Sequence, residues 1–170
     1  MYRDGHAGFN ALLYAPVLPV ISAGYSLEVA LWGAVLILAA ATLPDFDQGL
    51  PWIDHRGPTH TVWFALLVGL GAGAGTILVA RWGFGSGGEF GFGFGFVVGT
   101  CGILAHLAGD VVTPMGISPF APVSRVHVTL DWFKSKNARV NRAFLLAGTI
   151  ALFAALLLAI GHSTAGAPAG

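Results

Sequence analysis

The sequence predicts an all-α, polytopic membrane bundle of about five transmembrane helices, forming one integral membrane domain over residues 1–170. Three observations lead there. Charged residues make up only 9% of the chain, against about 25% in soluble domains, so lipid is the expected solvent. Five apolar runs approach the roughly 20 residues a helix needs to cross the hydrocarbon core. Those runs are continuously apolar, whereas the strands of a membrane barrel alternate polar and apolar residues.

The first run, about 7–23, contains Pro16 and Pro19, which predict a kink or tilt. Arg3, Asp4 and His6 precede it and no small-residue cleavage site follows, so it reads as a retained span. The second run, about 26–43, ends at Leu43-Pro44, where the proline disfavours helical geometry at Leu43 and predicts a turn. The third, about 61–80, carries Gly69 with Gly73 and Gly71 with Gly75 at GxxxG spacing, which lets helix backbones approach closely in lipid. Residues 83–96, GFGSGGEFGFGFGF, are low complexity: a loop in the first half, the start of the fourth run in the second. The fourth run covers about 92–112 and the fifth about 143–161.

Basic residues set the orientation, because they favour cytoplasmic loops. With five spans, Arg3, Arg56, Arg125, Lys134, Lys136, Arg139 and Arg142 share the side of the N-terminus, and only Arg81 lies opposite. A multi-pass protein of the cell membrane with a cytoplasmic N-terminus is expected, with His162 near the outer end. The stretch 125–142, with its Arg, Lys and Trp132, suits anionic lipid headgroups. A net charge of zero gives no support to nucleic-acid binding. The single cysteine, Cys101, cannot form an internal disulfide and has no neighbouring base, and there is no Gly-x-Ser-x-Gly, so serine or cysteine nucleophiles are not expected.

The polar residues fall on that map in one place. His6 precedes the first span. Asp45 and Asp47 follow the second and, in an extended segment, would point the same way. His55-Arg56-Gly57-Pro58-Thr59-His60 leads into the third, and its Gly-Pro turn can bring His55 and His60 together. His106 and Asp110, four apart, share a face near the end of the fourth. Four segments thus deliver His6, Asp45, Asp47, His55, His60, His106 and Asp110 to one membrane face. Ionisable groups bordering spans are costly and usually functional. Imidazole with carboxylate suits a divalent metal, zinc first, with manganese or iron as alternatives, and seven donors allow one or two ions. Arg56 has the planar fork that binds phosphate or carboxylate, or it pairs with Asp54. Thr113 is expected to cap the fourth helix.

Gly5-His6, LPDFD at 43–47, HRGPTH at 55–60 and HLAGDVVTPMG at 106–116 resemble the YdjM-type family, described as membrane-bound metal-dependent hydrolases. The motifs occur in the family's order over roughly residues 5–120. The resemblance implies a multi-helix membrane fold whose metal-site residues match His6, Asp45, Asp47, His55, Arg56, His60, His106, Asp110 and Thr113. Thr61 stands where the family often has Ser, the connector between LPDFD and HRG is short, and Gln48 stands where a His is frequent.

The expected function is metal-assisted hydrolysis at the cytoplasmic membrane face, on a phosphoester or lipid-like, membrane-associated substrate. Asp47 is the expected general base and Arg56 the stabiliser of developing negative charge. A metal or proton transporter is the alternative, though a pathway needs polar residues through the full thickness. A metal-stabilised scaffold with a closed site is the third.

Overall fold

The computed structural model describes residues 1–52, 55–82 and 91–165. Among them are six α-helices: α1 (Arg3–Tyr14), α2 (Leu18–Gly24), α3 (Leu27–Ala40), α4 (Val62–Arg81), α5 (Phe92–Val111) and α6 (Ala138–Ala165). Two short 3-10 helices, Pro44–Gly49 and Pro58–His60, lie between α3 and α4.

The stretches Leu27–Gly49, Val62–Arg81, Phe92–Val111 and Ala138–His162 are each long and apolar enough to cross a membrane, and α1 with α2, bent by 44°, makes a fifth if the pair is one span. Pro16 and Pro19 lack the backbone N–H that would continue the ladder, so the helix breaks between Tyr14 and Leu18. Val17, Ile21 and Tyr25 face Gly93, Phe94 and Val97 at the start of α5, while His6 meets Asp110 at its end. The bent pair therefore runs the length of the bundle.

Helix α1 packs along α6, α4 along α5, and α3 against α5. In lipid there is little hydrophobic force between helices, so close backbone contact does the holding. Gly69 lies against Thr100 and Phe96, and Gly73 against Phe92; a Cβ at either would collide. Gly71 and Gly75 have open space beside them, so only the Gly69–Gly73 pair is a packing face. Gly8 meets the backbone of Phe144 and Leu145 in the same way. One turn along α1 from His6, Asn10 Nδ2 donates to Ile37 O (3.0 Å) and Gly102 O (2.9 Å), which fixes α1 against α3 and α5.

Local structure departs from expectation in two places. Leu43 keeps helical dihedrals (φ −62°, ψ −42°) despite Pro44, and the chain continues into a 3-10 helix rather than an extended segment. Helix α6 starts at Ala138, five residues before the apolar run, because Asn137 Oδ1 accepts from Arg139 N (3.1 Å) and Val140 N (3.3 Å). The expected loop in the first half of the Gly/Phe run lies in residues 83–90, outside the described residues.

Candidate metal centre

The start of α1, the end of α3, the start of α4 and the end of α5 lie at one end of the bundle, and the site is built there. His106 and Asp110 are one turn apart on α5, with His106 Nε2 3.4 Å from Asp110 Oδ2. Ala41 O, a carbonyl left over where α3 ends, lies 2.7 Å from His106 Nδ1. A carbonyl only accepts, so Nδ1 carries the hydrogen and Nε2 presents its lone pair.

The 3-10 helix Pro44–Gly49 turns about 120° per residue, so Asp45 and Asp47 diverge instead of pointing the same way. Asp45 Oδ1 lies 3.7 Å from His60 Nε2 and 3.9 Å from His106 Nε2. Asp47 serves the other edge of the imidazoles. Its Oδ1 accepts from His55 Nδ1 (2.8 Å), and its Oδ2 accepts from Thr59 Oγ1 (2.7 Å) and Arg56 N (3.1 Å). Arg56 adopts a left-handed backbone (φ 63°), a conformation that non-glycine residues rarely take. That turn lets its amide reach Asp47 while its side chain runs the opposite way. Its Nη2 donates to Asp110 Oδ1 (2.7 Å) and its Nη1 to Gly116 O (2.9 Å) and Thr113 Oγ1 (3.2 Å).

Thr59 fixes the second tautomer. Its only hydrogen goes to Asp47, so Oγ1 must accept from His60 Nδ1, 3.0 Å away. His60 Nε2 is then the free edge. It lies 3.3 Å from His106 Nε2 and 3.3 Å from Asp110 Oδ2. His6 stacks on His106 with ring centres 3.7 Å apart and planes 12° from parallel. His6 Nε2 is 3.3 Å from Asp110 Oδ1, yet neither ring nitrogen has a hydrogen-bond partner. Asp110 Oδ1 also lies 2.6 Å from the Met1 amino group, while Oδ2 has no hydrogen-bond partner. His6, His60 and His106 are fully buried, and Asp110 nearly so.

Three buried electron-pair donors, His60 Nε2, His106 Nε2 and Asp110 Oδ2, therefore converge with every separation between 3.3 and 3.4 Å. A proton can bridge at most one of those contacts; a cation at the centre satisfies all three. Burial would lower the basicity of His60, but hydrogen bonds to Asp110 and Asp45 and the charges of Asp110 and Asp47 prevail and hold it above 6.5. Three donor sets could hold a metal ion: His6, Asp45 and His106; Asp45, His55 and His60; and His60, His106 and Asp110. Any two of them share one residue, Asp45, His60 or His106, so the three sets adjoin one another.

The sequence matches the family described as YdjM inner membrane protein over residues 1–167. The chain belongs to the YdjM inner membrane protein family. It is thus a membrane protein, as its apolar helices require. Comparison with curated proteins and with solved structures finds no match.

In this YdjM-family chain all seven sequence-predicted donors meet at one end of the bundle, together with Arg56 and Thr113. Their roles divide. Asp47 is absent from the three donor sets, and its oxygens hold His55, Thr59 and the Arg56 amide. Thr113 caps α5, donating to Asp110 O (2.8 Å), and also receives Arg56. The alternative pairing of Arg56 with Asp54 involves a position outside the described residues. Gln48 is exposed. Sequence reasoning missed Ala41 and Thr59. Thr59 lies inside the HRGPTH motif and was findable as a hydroxyl beside a histidine; a backbone carbonyl such as Ala41 O leaves no sequence signal.

Proposed function

We propose that this protein is a metal-dependent hydrolase working at the cytoplasmic face of the membrane. The single observation that carries the reading is the triangle of His60 Nε2, His106 Nε2 and Asp110 Oδ2. Ligands about 2.0–2.1 Å from a tetrahedral zinc stand about 3.3–3.4 Å from one another, the separations found here. A right-angled octahedral set at the same bond length would stand about 3.0 Å apart. Zinc is the preferred ion, because imidazole with carboxylate suits it. Asp45 is the fourth donor or, with His6, the beginning of a second site. A divalent cation there would make water more acidic and draw electron density from a phosphoryl or acyl oxygen.

The protein's own residues supply the rest. Ala41 O and Thr59 aim the two imidazoles. Asp47, fully engaged, orients His55 and His60, and Asp45, whose contacts are looser, is the general base when it does not itself bind the ion. Arg56, held by Asp110, Thr113 and Gly116, neutralises and positions Asp110. His55, 36% exposed on its side chain, stands at the mouth of the site where substrate enters. The basic residues Arg3, Arg125, Lys134, Lys136, Arg139 and Arg142 are all exposed and belong to this end of the bundle, which supports a cytoplasmic N-terminus.

The test is metal analysis of protein purified from membranes, followed by a hydrolysis screen with phosphoester and lipid-ester substrates. His106→Ala should lose both metal and turnover. Unchanged metal content would end the ligand assignment. Metal flux in proteoliposomes without turnover would favour transport, and bound metal with neither would favour a scaffold.

A further inference from the structure

The turn that delivers His60 to the centre has a second face. Pro58 and Gly57 on that face join Trp63, Phe64 and Leu67 of α4 and Ala121-Pro122 of the following connector around a groove of about 500 Å³. That volume lies within the ligand-sized range. The Thr61 hydroxyl at its edge is already committed, donating to Pro58 O (2.8 Å) and accepting from Phe64 N (3.3 Å). The other lining side chains carry no polar atom except the Trp63 indole nitrogen. The groove follows α4 from Thr61 to Leu67, about 9 Å at the helical rise. Trp63 and Leu67 are 46% and 62% exposed on a helix apolar enough to span the membrane, so the groove opens onto lipid.

The far wall is exposed and apolar too. Val62 N donates to Pro119 O (2.9 Å), which ties that connector to the start of α4. Phe120, Val123 and Val126 beside it are 46%, 79% and 57% exposed, and the exposed Arg125 sits among them. Apolar tips around a guanidinium suit the boundary between acyl chains and phosphate headgroups.

We propose that this groove seats one acyl chain of a phosphate-headed membrane lipid, placing the headgroup over the metal centre on the other side of the Pro58–His60 turn. The inference rests on the hydrolase reading for its chemistry but not for its geometry. A chain entering the groove exchanges one apolar surrounding for another, so the groove supplies little driving force. Its contribution is placement: it sets how far the headgroup stands from His60.

Two phosphatidylglycerol probes test this, one with a diazirine near the ester end of its chain and one with a diazirine near the methyl end. They are irradiated with the intact protein in vesicles of phosphatidylethanolamine and phosphatidylglycerol. The ester-end probe should label Pro58–Phe64 and the methyl-end probe the Leu67 region. Both should exceed labelling of the lipid-facing Leu157 and Leu158 several-fold. Leu67→Trp, which fills the groove from its exposed side, should abolish that excess without changing metal content. Uniform labelling of all lipid-facing helices, the mark of annular lipid only, would overturn the proposal. So would an unchanged pattern in Leu67→Trp. A diacylglycerol probe, lacking phosphate, should label several-fold less; equal labelling would overturn the headgroup assignment. Labelling is read without turnover. Groove-specific labelling by an inactive protein would support the lipid site while the hydrolase reading failed, and hydrolysis of soluble phosphoesters with uniform labelling would do the reverse.

Discussion

Replacing Asp110 with Asn keeps the shape of the side chain and removes one charge. In the native protein Asp110 Oδ1 faces Arg56 Nη2 at 2.7 Å and the Met1 amino group at 2.6 Å, and Oδ2 faces His60 and His106 at 3.3 and 3.4 Å. All of these groups are buried or nearly so, with the Arg56 side chain 8% exposed. Removing one partner of a buried ion pair costs about 3–5 kcal/mol, because the other charge is left without compensation. For a chain of this length each kcal/mol moves the melting temperature by about 2–4 °C, so Asp110→Asn should lower it by roughly 6–20 °C. The same change removes one corner of the donor triangle, and bound metal should fall from about one ion per chain to near none. Thermal unfolding in detergent and elemental analysis read the two effects. The double variant Asp110→Asn with Arg56→Met separates them: removing both charges should restore much of the stability but none of the metal. An Asp110→Asn protein with native melting temperature and native metal content would refute the reasoning.

Other perturbations probe single links. Thr59→Val removes the hydroxyl that fixes His60, and should weaken metal binding about 10–100-fold while the helices remain assembled, as read by metal titration and circular dichroism. His60 is raised above 6.5, so in metal-free protein its protonated form adds stability that is full below pH about 6.5 and is lost as pH rises through the elevated value. Metal needs the neutral ring, so affinity should rise with pH over that same window; melting curves against pH, with and without chelator, should slope in opposite directions. Gly69→Leu should overpack the α4–α5 contact by about 1–3 kcal/mol, whereas Gly71→Leu, facing open space, should change the melting temperature little.

The membrane bundle was legible because length and continuous apolarity are local properties of the chain. The prolines in the first run announced the break between α1 and α2. The meeting of His6, His60, His106 and Asp110 at one end was also legible, since alternating spans return every second connector to the same side. What escaped was geometry below one turn of helix. The spacing of Asp45 and Asp47 reads the same whether the segment is extended or 3-10, yet only the second sends them to opposite edges of the imidazoles. The start of α6 escaped because Asn137 caps a polar first turn that apolarity does not mark. GxxxG spacing fitted two glycine pairs, and only packing against Thr100, Phe96 and Phe92 selects Gly69 and Gly73. The Arg56 fork suited phosphate or carboxylate, or a pairing with Asp54, and only its left-handed backbone shows that it turns inward onto the Asp110 carboxylate.

X-ray absorption at the zinc edge, on protein purified from membranes without added metal, tests the centre most directly. The account predicts a first shell of nitrogen and oxygen at about 2.0–2.1 Å with scattering from two imidazoles, and loss of the zinc signal in His106→Ala. A metal-free protein, or an all-oxygen shell that His106→Ala leaves unchanged, would contradict it.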